Sequence, residues 1–147
     1  ALSLQVVLLV ASSIALGLAL VSTGAAAWIA QGVTAAVQGL SPAMQLAGFM
    51  AFSALLTNFV SNSAAAAVGT PIAIATATQL GSPLEPFVLA ILFGANLSYA
   101  TPMAYQTNLL VMNAAKYRFS DFVRVGGPLV VLMLVTLSVL LARRYGL

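Results

Sequence analysis

Two short polar runs interrupt an otherwise apolar chain, and they hold most of the side chains able to bind a ligand. The first is Thr57-Asn58-Phe59-Val60-Ser61-Asn62-Ser63, which runs into Ala64-Ala65-Ala66-Ala67. The second is Asn96-Leu97-Ser98-Tyr99-Ala100-Thr101-Pro102, continuing to Tyr105-Gln106-Thr107-Asn108. Both offer hydroxyls, carboxamides and free backbone, and neither contains Lys or Arg. A helix starting at Asn62 or Ser63 would aim free N–H groups and the positive end of its dipole at the break, which suits an anion. A half-helix after Pro102 would do the same. Helices finishing near Val60 and near Leu97 would point carbonyl oxygens at the same region. Those ends suit a hard cation such as Na⁺, with Asn62 and hydroxyls completing its shell. Without a basic side chain, positive charge for an anion must come from dipoles and from a bound cation. That is a physical reason to expect cation-coupled anion uptake.

Other chemistries are poorly supplied. The 147 residues include no Cys and no His, so disulfides, thiol chemistry and the usual zinc and haem ligands are excluded within the chain. An enzyme buried in a membrane needs a nucleophile beside a base, and the only Lys is Lys116, in a charged cluster. A proton relay needs a titratable group in the membrane interior. Glu85 is the one candidate, and it sits between Pro83 and Pro86 as a helix-start residue.

The elements that must position these runs are membrane helices. Hydrophobic residues make up 62% of the chain and charged residues 5%, against about a quarter charged in soluble domains. Mean hydropathy is +1.09. So little charge cannot cover a water-facing surface, and lipid is the expected solvent. No charged side chain precedes Glu85; Lys116, Arg118, Asp121 and Arg124 form one cluster and Arg143-Arg144 another. The net charge of +3 therefore comes from two short caps of the kind that mark membrane edges, not from a nucleic-acid-binding face. No signal peptide is evident, and a chain starting at Ala1 reads as a segment of a longer polypeptide.

The expected fold class is all-α, a single transmembrane unit over residues 1–147. Residues 4–20 are predicted to form a first span, and 25–37 an Ala-rich interfacial helix with Trp28 as headgroup anchor. Gly39-Leu40-Ser41-Pro42 is a turn, with Pro42 in a first helical turn. Arms 43–59 and 64–79 flank the first polar run, a pattern expected for a re-entrant helical hairpin. Residues 86–97 and 103–115 are predicted halves of a broken helix, because Pro102 removes a donor and disfavours helix at Thr101. A basic loop at 116–124 leads to a last span, 125–142, which Gly126-Gly127-Pro128 bends or starts.

These motifs resemble the divalent anion:sodium symporter family, the citrate, dicarboxylate and sulfate permeases of the ion-transporter superfamily. That family carries Ser-Asn-Thr at the tip of each of two inverted hairpins and Ala-Thr-Pro in a broken helix. The matching residues are Ser61-Asn62-Ser63, preceded by Thr57, and Ala100-Thr101-Pro102. The run Tyr105-Gln106-Thr107-Asn108, followed by Tyr117-Arg118-Phe119-Ser120-Asp121-Phe122, looks like the permease branch. The resemblance covers nearly the whole chain but only the family's C-terminal repeat. It implies a Na⁺ site from Thr57, Val60, Asn62 and Ala100, and substrate contact by Ser61, Asn62, Ser63, Thr101 and Pro102. It further implies an N-terminal repeat elsewhere in a parent protein, a homodimer, and a C-terminus outside the cell. The 116–124 cluster would then be cytoplasmic, and the membrane a bacterial cytoplasmic (inner) membrane. Ser63 stands where the family usually has Thr, keeping the hydroxyl and losing the methyl.

Plainer readings compete for the same residues. Ser-Asn-Ser by itself is more often a turn or cap; two polar breaks at the expected places favour a binding site. Thr101-Pro102 by itself is more often a packed kink. Tyr105 to Asn108, with Asn96 and Ser98, divide evenly between lining a pathway and bonding helices together. Ala64–Ala67 and Gly69 read as close-packing surface. A passive channel and a non-transporting packing subunit are the rival functions. The substrate stays open among sulfate, dicarboxylates and citrate.

Overall fold

The computed structural model describes residues 4–147, and these fold entirely into helices, with no strand among them. The helices are α1 (Leu4–Ser22), α2 (Ala25–Val37), α3 (Pro42–Thr57), α4 (Asn62–Leu80), α5 (Leu84–Ala95), α6 (Gln106–Ala115) and α7 (Phe119–Tyr145). A three-residue 3-10 turn, Pro102–Ala104, precedes α6.

Helix boundaries follow local chemistry. Thr23 donates from both its N–H and its hydroxyl to the Ala19 carbonyl, at 3.0 and 2.7 Å, closing α1. Gly24 then takes a positive φ of 73°, and the chain turns by 76° between Ile14–Ser22 and α2. Trp28 is 76% exposed on α2. Pro42 opens α3 and Gly81, left-handed, caps α4.

Helix α7, at 27 residues, is by itself long and apolar enough to cross a membrane, and the bent pair Ile14–Ser22 with α2 passes the same test together. At 1.5 Å per residue, α3, α5 and α6 reach about 24, 18 and 15 Å, short of the ~30 Å hydrocarbon core. Two expectations change at this end of the chain. The loop predicted at 116–124 is only Lys116–Arg118, and the last helix starts at Phe119, not 125. The cause is a cap from the third helical residue: the Arg118 N–H donates to Asp121 Oδ2 at 2.8 Å, so the charged cluster starts a helix. Gly126, Gly127 and Pro128 consequently lie inside α7.

The core lies where α3 packs on α5, flanked by α4 and α7. Phe49 and Phe87 meet edge to face, ring centroids 5.4 Å apart. Ser53, fully buried on α3, donates to the Ile91 carbonyl of α5 at 2.8 Å. Gly94 permits the closest approach of these helices, since a methyl group there would run into the Met50 carbonyl. Pro71, inside α4, cannot donate to the Ala67 carbonyl. Gly17 of α1 faces that freed oxygen, which would sit 3.5 Å from a Cβ at this position.

Gly94→Ala should therefore destabilise the protein by about 1–3 kcal/mol through overpacking. Gly48→Ala in α3, where a methyl meets nothing, should be neutral or gain up to about 1 kcal/mol from helix propensity. Thermal unfolding of the two variants checks this; equal midpoints would contradict the packing described.

Candidate functional site

The two polar runs fall in breaks between helices, at residues 58–61 and at 96–105. The first break is four residues long and tightly bonded. Phe59 and Val60 N–H groups donate back to the Leu56 carbonyl at 2.9 and 3.0 Å. Ser61 is the N-cap of α4, its Oγ accepting from the Ala64 N–H at 3.2 Å. Across the break, the Thr57 hydroxyl donates to Asn62 Oδ1 at 2.6 Å, tying the end of α3 to the start of α4. Thr57 is fully buried.

The second break differs from the half-helix expected at 103–115. Pro102 starts only a 3-10 turn, Tyr105 is extended at φ −150°, and α6 begins at Gln106. The helix dipole predicted to point at Thr101 from residue 103 is thus displaced to Gln106. Pro102 explains the outcome: its fixed φ suits the first position of a turn, but Tyr105 leaves helical geometry before a second turn forms.

Side chains brace this irregular backbone on several sides. Asn108 Nδ2 donates to the Ser98 carbonyl at 2.8 Å and the Thr101 carbonyl at 3.2 Å. On α7, Gly126 lies so close to the Tyr99 carbonyl and the Ala100 Cα that no side chain fits. The Thr101 hydroxyl donates to the Asn58 carbonyl at 3.4 Å, joining the two breaks directly. A polar cavity of about 210 Å³ lies beside this junction, lined by Asn62, Asn96, Ser98, Tyr99, Tyr105 and Asn108. That is well above the about 10–15 Å³ one water needs.

Of the residues singled out from the sequence, the fold brings Thr57, Asn62 and Thr101 to the junction, with Ala100 next to Thr101 under Gly126. Ser61, Val60 and Ser63 are exposed on the turn and first residues of α4, and Ser61 spends its hydroxyl on capping. Pro102 is buried. Only Asn62 of the proposed substrate contacts lines the cavity; its other walls come from residues whose roles the sequence left divided. Asn108 lines the cavity and bonds the Ser98 and Thr101 carbonyls of its own break rather than a second helix.

Two features escaped sequence reasoning. Gly126 could be seen as a bend but not as a contact, because its partner is 27 positions away. Asn58 is 9% exposed; its Nδ2 donates to the Ala54 carbonyl at 2.6 Å, while its Oδ1 is buried without a donor among the described residues. Thr76 Oγ1 is also buried without a partner, but it lies 14 residues beyond Asn62 on α4, about 21 Å along the axis. A buried acceptor at the junction, beside the negative end of α3, is the donor chemistry a small cation needs.

The chain matches the model of the citrate transporter family over residues 1–146. It is 37% identical over 142 residues to an uncharacterized transporter of Synechocystis sp., covering 97% of this chain and 23% of that protein. An uncharacterized transporter of Escherichia coli is 30% identical over 135 residues, 92% of this chain and 22% of that one. Sodium/sulfate cotransporter 1 of Chlamydomonas reinhardtii is 32% identical over 142 residues, 95% of this chain and 16% of that one. The chain thus spans less than a quarter of the length of these relatives.

If Asn108 fastens the second break, Asn108→Leu removes two hydrogen bonds, each worth about 0.5–1.5 kcal/mol. Hydrogen exchange of the amides in residues 97–103 should then speed up about tenfold, the factor for about 1.4 kcal/mol. Unchanged exchange there would show that Asn108 does not hold this segment.

Proposed function

The chain belongs to the citrate transporter family, and we propose that it forms the C-terminal half of a sodium-coupled secondary transporter for a small divalent anion. In this reading α3 and α4 are the arms of a re-entrant hairpin whose tip is residues 58–61. Helices α5 and α6 are the halves of a broken helix, and the two breaks meet near the bilayer midplane. The observation that carries the reading is the junction itself: Thr57 bonded to Asn62 at 2.6 Å, and Thr101 bonded to the Asn58 carbonyl at 3.4 Å. Irregular backbone at membrane depth is tolerated only against protein or a watery cavity, and the pocket beside Asn62 and Asn108 supports this reading.

The division of labour follows from helix ends. The start of α4 supplies N–H groups of Asn62 and Ser63 and a positive dipole, which attract an anion. Asn62 borders the anion's place with Asn96, Ser98, Tyr105 and Asn108, and Ser61, Ser63, Thr101 and Pro102, next to it in the two breaks, are proposed to reach the anion once the parent's other repeat completes the site. The carbonyl ends of α3 and α5, with Thr57, Val60, Asn62 and Ala100, border the place for Na⁺. Neither break has a cationic side chain, so Na⁺ offsets part of the anion's charge and the two bind better together than singly. Sulfate, citrate and dicarboxylates all fit neutral donors. The family's citrate name and the relative's sodium/sulfate name support this substrate class.

The rest of the machine is proposed to lie elsewhere in a parent protein. The share of each relative covered supports this, and α6 buries none of its residues, as expected of a helix whose neighbours are elsewhere. The full assembly is proposed to carry a first repeat with its own hairpin, to pair as a homodimer, and to sit in a bacterial cytoplasmic membrane.

Reconstituted into vesicles, the parent should accumulate labelled sulfate or a dicarboxylate with an imposed Na⁺ gradient and not with K⁺. Asn62→Ala and Thr101→Ala should each lower uptake at least about tenfold, the loss of about 1.4 kcal/mol or more, without lowering the unfolding temperature comparably. Uptake indifferent to Na⁺, or to both substitutions, would remove the mechanism.

A further inference from the structure

We propose that the side-chain carbonyl of Asn58 is a further oxygen ligand for the coupling cation, Na⁺, at the junction of the two breaks. This rests on the sodium-coupled reading above and adds a side chain to it that neither the hairpin motif nor the family match assigns.

Asn58 stands at the C-terminal end of α3, where its backbone closes the last turn. Its carboxamide has one possible orientation. Nδ2 donates to the Ala54 carbonyl at 2.6 Å, and a flipped amide would set two acceptor oxygens against each other. Oδ1 is thereby held in place, buried, with no donor reaching it among the described residues. The nearby donors are committed elsewhere. The Thr57 hydroxyl serves Asn62, the Thr101 hydroxyl serves the Asn58 backbone carbonyl, and the Phe59 and Val60 amides serve Leu56.

An acceptor stranded in this way costs about 1–3 kcal/mol, and native structures carry it when something else satisfies it. The surroundings select a positive guest. Asn58 stands at the negative end of the α3 dipole, and no basic side chain occurs in either break. A cation is attracted both to Oδ1 and to that dipole, whereas a water gains only one hydrogen bond. The Thr101 hydroxyl meets the backbone carbonyl of the same residue, so cation binding at the Asn58 side chain would steady the junction that the anion uses.

The test uses the reconstituted parent with two variants, Asn58→Leu, which deletes the oxygen, and Asn58→Asp, which keeps it and adds charge. Uptake is measured against Na⁺ concentration, and thermal unfolding is compared in NaCl and KCl. With Asn58 as a ligand, Asn58→Leu raises the half-saturating Na⁺ concentration at least about tenfold and abolishes the stabilisation by NaCl over KCl. Asn58→Asp lowers the half-saturating concentration and enlarges the stabilisation by NaCl over KCl. If Asn58→Leu fails to fold, Asn58→Asp decides by itself: a half-saturating Na⁺ concentration and a salt-specific stabilisation both equal to those of the unmodified parent overturn the proposal. An unchanged half-saturating concentration in Asn58→Leu, with equal losses of stability in both salts, also overturns it and leaves a bound water as the partner of Oδ1. Sodium coupling itself survives those results. A parent whose own uptake and unfolding ignore Na⁺ removes both readings.

Discussion

The hydrogen bond from the Thr101 hydroxyl to the Asn58 carbonyl joins the two places where this apolar chain abandons helix. A carbonyl at a helix end has no intrahelical partner, and in lipid it has no water either. Each break answers part of that need for the other. Thr57 and Asn62 close the first break on itself, Asn108 closes the second, and Thr101 links them. At the first break one buried side-chain acceptor, Asn58 Oδ1, is left without a donor among the described residues. An apolar protein that left polar groups unpaired at random would pay about 1–3 kcal/mol for each with no return.

Holding the junction is a task for close backbone contact. Gly94 lets α5 lie against the Met50 carbonyl, and Gly126 lets α7 lie against Tyr99 and Ala100. Helix association in lipid depends on packing of this kind, because tails are as apolar as the helices themselves. The Ser53 hydroxyl adds a directional bond to Ile91 where α3 and α5 cross. The short helices are thereby fixed, while the cavity beside Asn62 and Asn108 keeps room for a guest.

Much of the scaffold was legible in the residues themselves. Ser41-Pro42, Ser61-Asn62 and Gly81 are strong caps, so α3 and α4 run over Pro42–Thr57 and Asn62–Leu80 where 43–59 and 64–79 were expected. The second break was visible as a polar interruption, but its far edge was not. Pro102 signals the start of a helix equally well as the start of a 3-10 turn, and Tyr105 carries no mark of its extended backbone. The charged cluster misled because its composition says loop while the Arg118–Asp121 spacing says cap. Gly126 and Asn58 were opaque for a different reason: one is defined by a distant backbone, the other by the donors that fail to reach it. Neither property is written in local sequence.

The central claim is that the two breaks face one another inside the bilayer and share a guest. A cryo-electron microscopy structure of the parent in lipid nanodiscs, with Na⁺ and sulfate present, tests it most directly. The account predicts residues 58–61 and 98–101 in contact near the midplane, with density for an ion among Thr57, Asn58, Asn62 and Ala100 and for an anion beside Asn62 and Thr101. Unbroken helices through either segment, or breaks lying at opposite membrane surfaces with nothing between them, would contradict it.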